Sequence, residues 1–375
     1  MRITSNFDGG NIEVIIAESP ENIKLAIRKD TRANFFQWFF FRVEGAQGFP
    51  CRISLVNASE SSYPEGWIGY RAVASYDLVE WFRVPTFFNG KELNINHMPE
   101  YNSVYYAYFA PFTYQQHLEM IHKAQMSRQM VIENLGQTVE GRNIDLLTAG
   151  EVSETKPKIW ILARQHPGEP MAEWFMQGLI ERLGNTNDPV ACYLLDHAIF
   201  YLVPNMNIDG SILGNLRCNA LGHNLNRVWD NPDPETTPEV YYVRQKMLET
   251  GVDLCLDIHG DEGLPYCFAT SNVGIPSFSR RLAMLEKEFL DAWKKISPDF
   301  QTEHGYEADK PGTANLGICS KWVGENFDCL SLTIEMPFKD NNNLPDSHYG
   351  WSPGRSKAFG ASVLNVIVQM LDKIG

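Results

Sequence analysis

The sequence predicts two fold classes in tandem: an all-β antiparallel sandwich over residues 1–114, then an α/β domain over residues 115–375. Three observations carry this. The first 114 residues hold 23 of the 45 aromatic residues, many in short strand-like runs. Turn signals punctuate those runs, as in a β-sandwich. From Thr113 onward, apolar strand-like segments alternate with helical ones.

In the β-rich part, Phe35 to Val43, Arg52 to Asn57, Tyr70 to Phe82 and Ser103 to Phe109 read as strands. Glu44-Gly45, Tyr63-Pro64-Glu65-Gly66 and Phe88-Asn89-Gly90-Lys91 read as turns. The run Phe39-Phe40-Phe41 reads as core or inter-domain packing rather than a ligand cage. Thr113 then caps a helix from Tyr114 to about Arg128. Lys158 to Ala163 reads as a buried strand. Pro170 to Leu183 reads as a helix, since proline suits the first helical position and Gly184 the stop. Ile199 to Val203, Val252 to Ile258 and Leu330 to Met336 are further strands; Ser279 to Lys295 and Lys357 to Lys373 are helices. The result is a central sheet with helices on its faces. No stretch reads as a repeat or flexible linker, so the domains are expected to pack together.

Composition excludes several functions. The 32 Lys+Arg against 46 Asp+Glu give a net charge of −14. With no basic block, nucleic acid and anionic membranes are not expected partners. No apolar run approaches the ~18 residues that span a bilayer, and the first residues lack a signal-peptide core. The acidity is uneven: residues 1–114 hold 10 basic and 12 acidic groups, the remainder 22 and 34. Such a field slows a polyanion's approach to the second domain. Seven scattered cysteines without a CxxC pair argue against a disulfide framework or a cysteine zinc cluster, and fit a cytoplasmic location.

The sharpest local signal is Gln165-His166-Pro167-Gly168-Glu169-Pro170, after one strand and before a helix. A tight turn there can bring imidazole and carboxylate to one point, a pair that zinc accepts. His259 ends the strand Asp253 to His259, where open α/β sheets place their sites. A hydrogen-bonded strand-end histidine is the plainer alternative. Between them lie Gly214-Asn215-Leu216-Arg217 and Asn224-Leu225-Asn226-Arg227. Arginine suits bidentate carboxylate recognition, though many arginines are merely exposed. In Leu330-Ser331-Leu332-Thr333-Ile334-Glu335, alternation puts Glu335 at the end of an apolar strand. A carboxylate there is an ion-pair member or a general base.

Together, and in this order, these residues resemble the zinc metallocarboxypeptidase family over residues 115–375. The aromatic β-domain, the Tyr108-Phe109-Ala110-Pro111-Phe112-Thr113-Tyr114 junction and the spacing of the two arginine motifs are most similar to its cytosolic carboxypeptidase branch. That branch includes tubulin-processing deglutamylases and shorter bacterial relatives; the compact length suggests a bacterial member. The resemblance implies a mixed-sheet zinc carboxypeptidase-like catalytic domain behind the sandwich. It implies that His166, Glu169 and His259 hold one Zn2+ per chain, with water at the fourth position. Glu335 is then general base and acid, Arg217 stabilises the oxyanion, and Asn226 and Arg227 clamp the substrate's terminal carboxylate. Tyr306 is the candidate for the family's mobile tyrosine. The implied reaction is hydrolysis of the C-terminal peptide or glutamyl bond of a peptide or protein by the zinc-bound water. A zinc-dependent deacylase, or a γ-glutamyl carboxypeptidase of cell-wall peptides, is the alternative use of a similar site. The oligomeric state is left open.

Two departures from the family pattern matter. Asn224 stands where many relatives have an aspartate that orients a zinc histidine; Asp257 could compensate or be a solvated strand-end acid. Asn315 stands where deglutamylating relatives carry a basic residue, which leaves glutamate preference to Lys310 or Lys321, neither placed by the sequence. His97, His117, His122, His197, His223, His304 and His348 have no partner at ligand spacing and read as structural or exposed.

Overall fold

The computed structural model describes residues 1–127 and 129–374. The aromatic segment forms two five-stranded sheets. One runs in the order Arg2–Thr4, Phe40–Glu44, Ser103–Ala107, Val73–Ser75, Phe82–Arg83; the other runs Glu13–Ser19, Asn22–Ala26, Cys51–Leu55, Leu93–His97, Thr86–Phe88. Their pairings are antiparallel apart from Asn22–Ala26 with Cys51–Leu55, which is parallel. Phe39, Phe40 and Phe41 are all buried, and Phe41 stacks on Tyr106 at 5.4 Å.

All four expected strands are shorter, the two longest for identifiable reasons. Residues 35–39 are tied to a turn instead of a ladder: Ser62 Oγ accepts from Phe36 N–H at 2.9 Å and Gln37 Oε1 from Tyr63 N–H at 2.8 Å. The run from Tyr70 to Phe82 breaks where Asp77 accepts the Val79 and Glu80 N–H groups at 2.8 Å each and Leu78 takes φ +65°. Side-chain acceptors have displaced the sheet ladder there.

The second domain is built on a seven-stranded mixed sheet ordered Met130–Gln137, Asn143–Ala149, Ile199–Val203, Lys158–Ala163, Leu254–Asp261, Leu330–Pro337, Phe268–Thr270. The four strands from Ile199–Val203 to Leu330–Pro337 are parallel; the flanking ones are antiparallel. Helices Pro170–Leu183, Arg280–Ile296 and Pro353–Ile374 cover one face, and Pro238–Thr250 and Cys319–Phe327 the other. Parallel strands release their carboxyl ends at one edge, so the segments after Ala163, at His259 and at Glu335 meet there. Among the described residues no helix is long and apolar enough to cross a membrane.

The domains are packed face to face. Buried Arg83 donates to the carbonyls of Phe338 at 2.7 Å, Lys339 at 2.9 Å and Trp351 at 3.1 Å. Tyr108 stacks on Phe338 at 4.3 Å. Asp8 accepts from the Tyr114 N–H at 2.7 Å, just where Thr113 and Gln116 form a reciprocal capping box. The helix it opens, Tyr114–Gln125, ends earlier than expected. Met126 and Ser127 N–H groups bond to Lys123 and Ala124, which tightens the last turn. Arg128 lies outside the described residues.

His117, on that helix, is buried between Glu173 at 2.7 Å and Asp145 at 3.3 Å. Burial alone would discharge it, but the hydrogen bonds its ring donates to both carboxylates outweigh this and raise its pKa to about 9. A raised histidine pKa stabilises the fold fully below the unfolded value of ~6.5, and the benefit is lost as pH rises through the folded value. Urea midpoints of the parent and His117→Gln proteins should therefore differ most at pH 6 and converge toward pH 10. A gap that does not change with pH would contradict this.

Candidate metal centre and active site

The residue after strand Lys158–Ala163, Arg164, takes φ +58° and turns the chain away from the sheet. Gly168 then lets this turn approach a second loop, with its N–H donating to Leu216 O at 2.8 Å. A Cβ there would lie 2.7 Å from that oxygen. The turn brings His166 Nδ1 to 2.7 Å from Glu169 Oε1. His259, on Leu254–Asp261, brings its Nδ1 to 2.9 Å from Glu169 Oε2, which also accepts the Gly260 N–H at 3.0 Å. One ligand atom from each of the three residues lies within 4.8 Å of the others, and all three residues are buried.

The donor set fits zinc. Both outer ring nitrogens are engaged, which leaves the Nδ1 atoms facing the carboxylate. His166 Nε2 lies 3.1 Å from Asn224 Oδ1, and His259 Nε2 lies 2.9 Å from Asp257 Oδ2. Burial, reinforced by Arg217, lowers the His166 pKa to about 4, so its ring is the neutral form a metal requires. Asp257 is not a solvated acid: it is buried and also accepts from Gln165 Nε2 at 2.7 Å. Asn224 occupies the expected outer position with an amide in place of a charge.

Glu335 sits beside His259 in the parallel register. It is buried, and among the described residues its Oε2 has no hydrogen-bond partner. Burial pushes its pKa well above the usual range; His259 opposes this, and Glu169, Asp261 and Glu262 add to it. Arg217 stands across the same cavity of about 990 Å³, which Asn226, Arg227 and Tyr306 also line. Arg227 is exposed at the rim, with Nη1 donating to Asn226 O at 2.6 Å. The Asn226 amide faces inward: Oδ1 accepts from Cys319 N–H at 2.8 Å, and Nδ2 lies 3.2 Å from His259 Nε2. Tyr306 is 55 % exposed on the loop over the cavity, and its hydroxyl donates to Asp261.

The sequence does not place several other lining residues in the site. Ser62 to Gly66 of the β-rich domain form part of the wall. Lys321 is buried on another wall; it donates to Ser271 O and pairs with Asp309 at 3.0 Å. Lys310 and Asn315 are not among the described lining residues. Asn315 instead folds onto its own loop, with Oδ1 accepting from Gly317 N–H at 2.9 Å.

Comparison with known proteins places this geometry. Residues 3–109 match the model for the cytosolic carboxypeptidase N-terminal domain, and residues 116–353 match the model for zinc carboxypeptidase. Cytosolic carboxypeptidase 6 of Caenorhabditis elegans is 27 % identical over 92 % of this chain and 80 % of its own length. The crystal structure of a metallo-carboxypeptidase from Burkholderia cenocepacia is 50 % identical, with TM-score 0.97 over the whole of both chains. A metallo-carboxypeptidase from Pseudomonas aeruginosa, in complex with (2-guanidinoethylmercapto)succinic acid, is 45 % identical with TM-score 0.97, again over both whole chains.

The Asn224 contact yields a test. Asn224→Asp would set a negative charge on His166 and raise its basicity as a ligand. Zinc affinity measured by chelator competition should rise about tenfold, within the range of outer-shell effects. An unchanged dissociation constant would remove Asn224 from the account of the metal site.

Proposed function

The chain belongs to the zinc carboxypeptidase family, and from that premise we propose that it removes the C-terminal residue of a peptide or protein, preferring an acidic one. It is a peptide hydrolase of a zinc-dependent family. One observation carries the reading most directly. A buried carboxylate with a free oxygen, Glu335, faces the same cavity as a three-residue ligand set and two arginines. That arrangement supplies every group peptide hydrolysis needs.

In this reading His166, Glu169 and His259 hold one zinc per chain. Zinc, when bound, supplies Lewis acidity toward the scissile carbonyl and the attacking water. Glu335 takes the water's proton at Oε2 and returns it to the leaving amine. Arg217 sets its guanidinium where the oxyanion develops. Arg227 binds the terminal carboxylate, which makes the enzyme an exopeptidase and positions the bond. Asn226 contributes through its carbonyl, which fixes Arg227, and through its amide, which packs on His259. Tyr306, released from Asp261, closes over the bound residue. The Pseudomonas relative's ligand is a substituted succinic acid, and two arginines suit such carboxylates.

The acidic preference rests on Lys321. Its ammonium is buried in the cavity wall, yet its carboxylate partner, Asp309, sits on the exposed loop. A substrate glutamate can take the place of Asp309 at little electrostatic cost. This local cation also answers the domain's overall acidity. The reading includes a cytoplasmic location, supported by seven free cysteines and by relatives named cytosolic carboxypeptidases. It also keeps residues 1–114 and 115–375 as the two domains.

Glu335→Gln should lower kcat by at least ~100-fold, typical of a lost general base, while zinc stays bound by elemental analysis. Retained turnover would sink the base assignment. Lys321→Gln should lower kcat/KM about 10- to 100-fold for peptides ending in glutamate, the worth of a charge-assisted hydrogen bond, and leave peptides ending in leucine little changed. An equal loss on both would assign Lys321 to structure. Profiling peptide C-termini alongside N-acyl amino acids and cell-wall peptides separates this activity from a deacylase or γ-glutamyl peptidase.

A further inference from the structure

We infer that the β-rich domain is part of the reaction machinery, with Asp30 as a positioning residue that sets Arg217 over the cleft. Asp30 is 4 % exposed. Its carboxylate takes three consecutive backbone N–H groups of the other domain: Leu216 at 2.5 Å on Oδ1, then Arg217 at 2.8 Å and Cys218 at 2.9 Å on Oδ2. A buried carboxylate is costly unless its lone pairs are filled. Here the loop carrying Arg217 fills them, so carboxylate and loop must adopt one geometry together.

Neighbouring contacts fix the same loop. Thr31 donates its N–H to Asn215 Oδ1 at 2.9 Å, and Asn11 Nδ2 donates to Gly214 O at 2.8 Å. On the opposite side, Leu216 O accepts from Gly168 in the turn that carries His166 and Glu169. The loop is therefore held between the β-rich domain and the ligand turn.

The guanidinium is oriented by the same domain. Arg217 Cζ lies 5.6 Å from the Phe35 ring and 5.7 Å from the Tyr63 ring. Among the described residues no carboxylate forms an ion pair with it. Aromatic contacts occupy guanidinium faces and leave edge N–H donors free. A free, pre-aimed donor is what stabilises charge that appears only in the transition state. The sandwich thus supplies both the loop anchor and the aromatic faces.

This inference rests on the assignment of Arg217 to the oxyanion, and the experiment separates the two. Steady-state kinetics would use a synthetic peptide ending in glutamate and the full-length, zinc-loaded protein. Arg217→Ala should lower kcat by about 100- to 1,000-fold, as for a lost oxyanion donor. Asp30→Asn should lower kcat about 10- to 100-fold with KM within about twofold and zinc content unchanged. The Asp30→Asn/Arg217→Ala double variant should be no slower than Arg217→Ala, since the two act through one group. Phe35→Leu, at a half-exposed position, should show a smaller kcat loss that also disappears in the Arg217→Ala background; it decides the matter if Asp30→Asn does not fold. Additive losses, or a loss confined to KM or zinc content, would overturn the positioning role. A full kcat for Arg217→Ala would overturn the oxyanion assignment and the inference with it.

Discussion

The structure depends on one carboxylate shared between two histidines. Glu169 meets His166 through one oxygen and His259 through the other, and its second oxygen also caps the Gly260 N–H. Buried ionisable groups this close are expensive unless their geometry is complementary and their remaining atoms are satisfied. That demand sets much of what surrounds them. Gly168 must be small so that its turn can reach Leu216. Leu254–Asp261 must run parallel beside Lys158–Ala163 so that His259 arrives at the same edge. Asp257 and Asn224 must occupy the outer ring nitrogens so that the inner ones converge.

The two domains share this constraint. Arg83 spends its guanidinium on carbonyls of the catalytic domain, Asp8 helps to open its first helix, and Asp30 caps the loop of Arg217. These are charged or polar groups placed against backbone, not side-chain pairs at a wet interface. Such contacts are strong because an unpartnered buried group is costly. They bind the domains through their irregular segments, where register is otherwise free.

Legibility in the sequence followed physical locality. Strands Lys158–Ala163 and Ile199–Val203 and helix Pro170–Leu183 were readable to the residue, because unbroken apolar runs meet proline or glycine at their ends. The hairpin Met130–Gln137 with Asn143–Ala149 was not: its outer strand is largely exposed and bulged, so it lacks an apolar signature. Helix Pro238–Thr250 is amphipathic only weakly and was likewise missed. The ligands and the strand carboxylate were legible as motifs tied to strand ends, and the arginines as two motifs in the segment between the ligands. Lys321 was legible only as one of two candidate cations and Asp30 not at all, since their meaning comes from partners brought close by folding: an exposed-loop acid in one case, a loop 186 residues away in the other. Asp257 stood between: its partner His259 lies two residues along the same strand, but the Gln165 amide reaches it only through folding.

The span of the Asp30 contact has a consequence for biosynthesis. Asp30 leaves the ribosome 186 residues ahead of Leu216, a wait of about 10–40 s at ordinary elongation rates of ~5–20 residues per second. His259 and Glu335 emerge later still. Throughout that interval the nascent β-rich domain holds an acid whose partners, the backbone N–H groups of the Arg217 loop, do not yet exist. A peptidase assembled in this order cannot acquire its full reactivity piecemeal. Its first domain is made early, yet Asp30 stays unpartnered until the Arg217 loop of the second domain has been made.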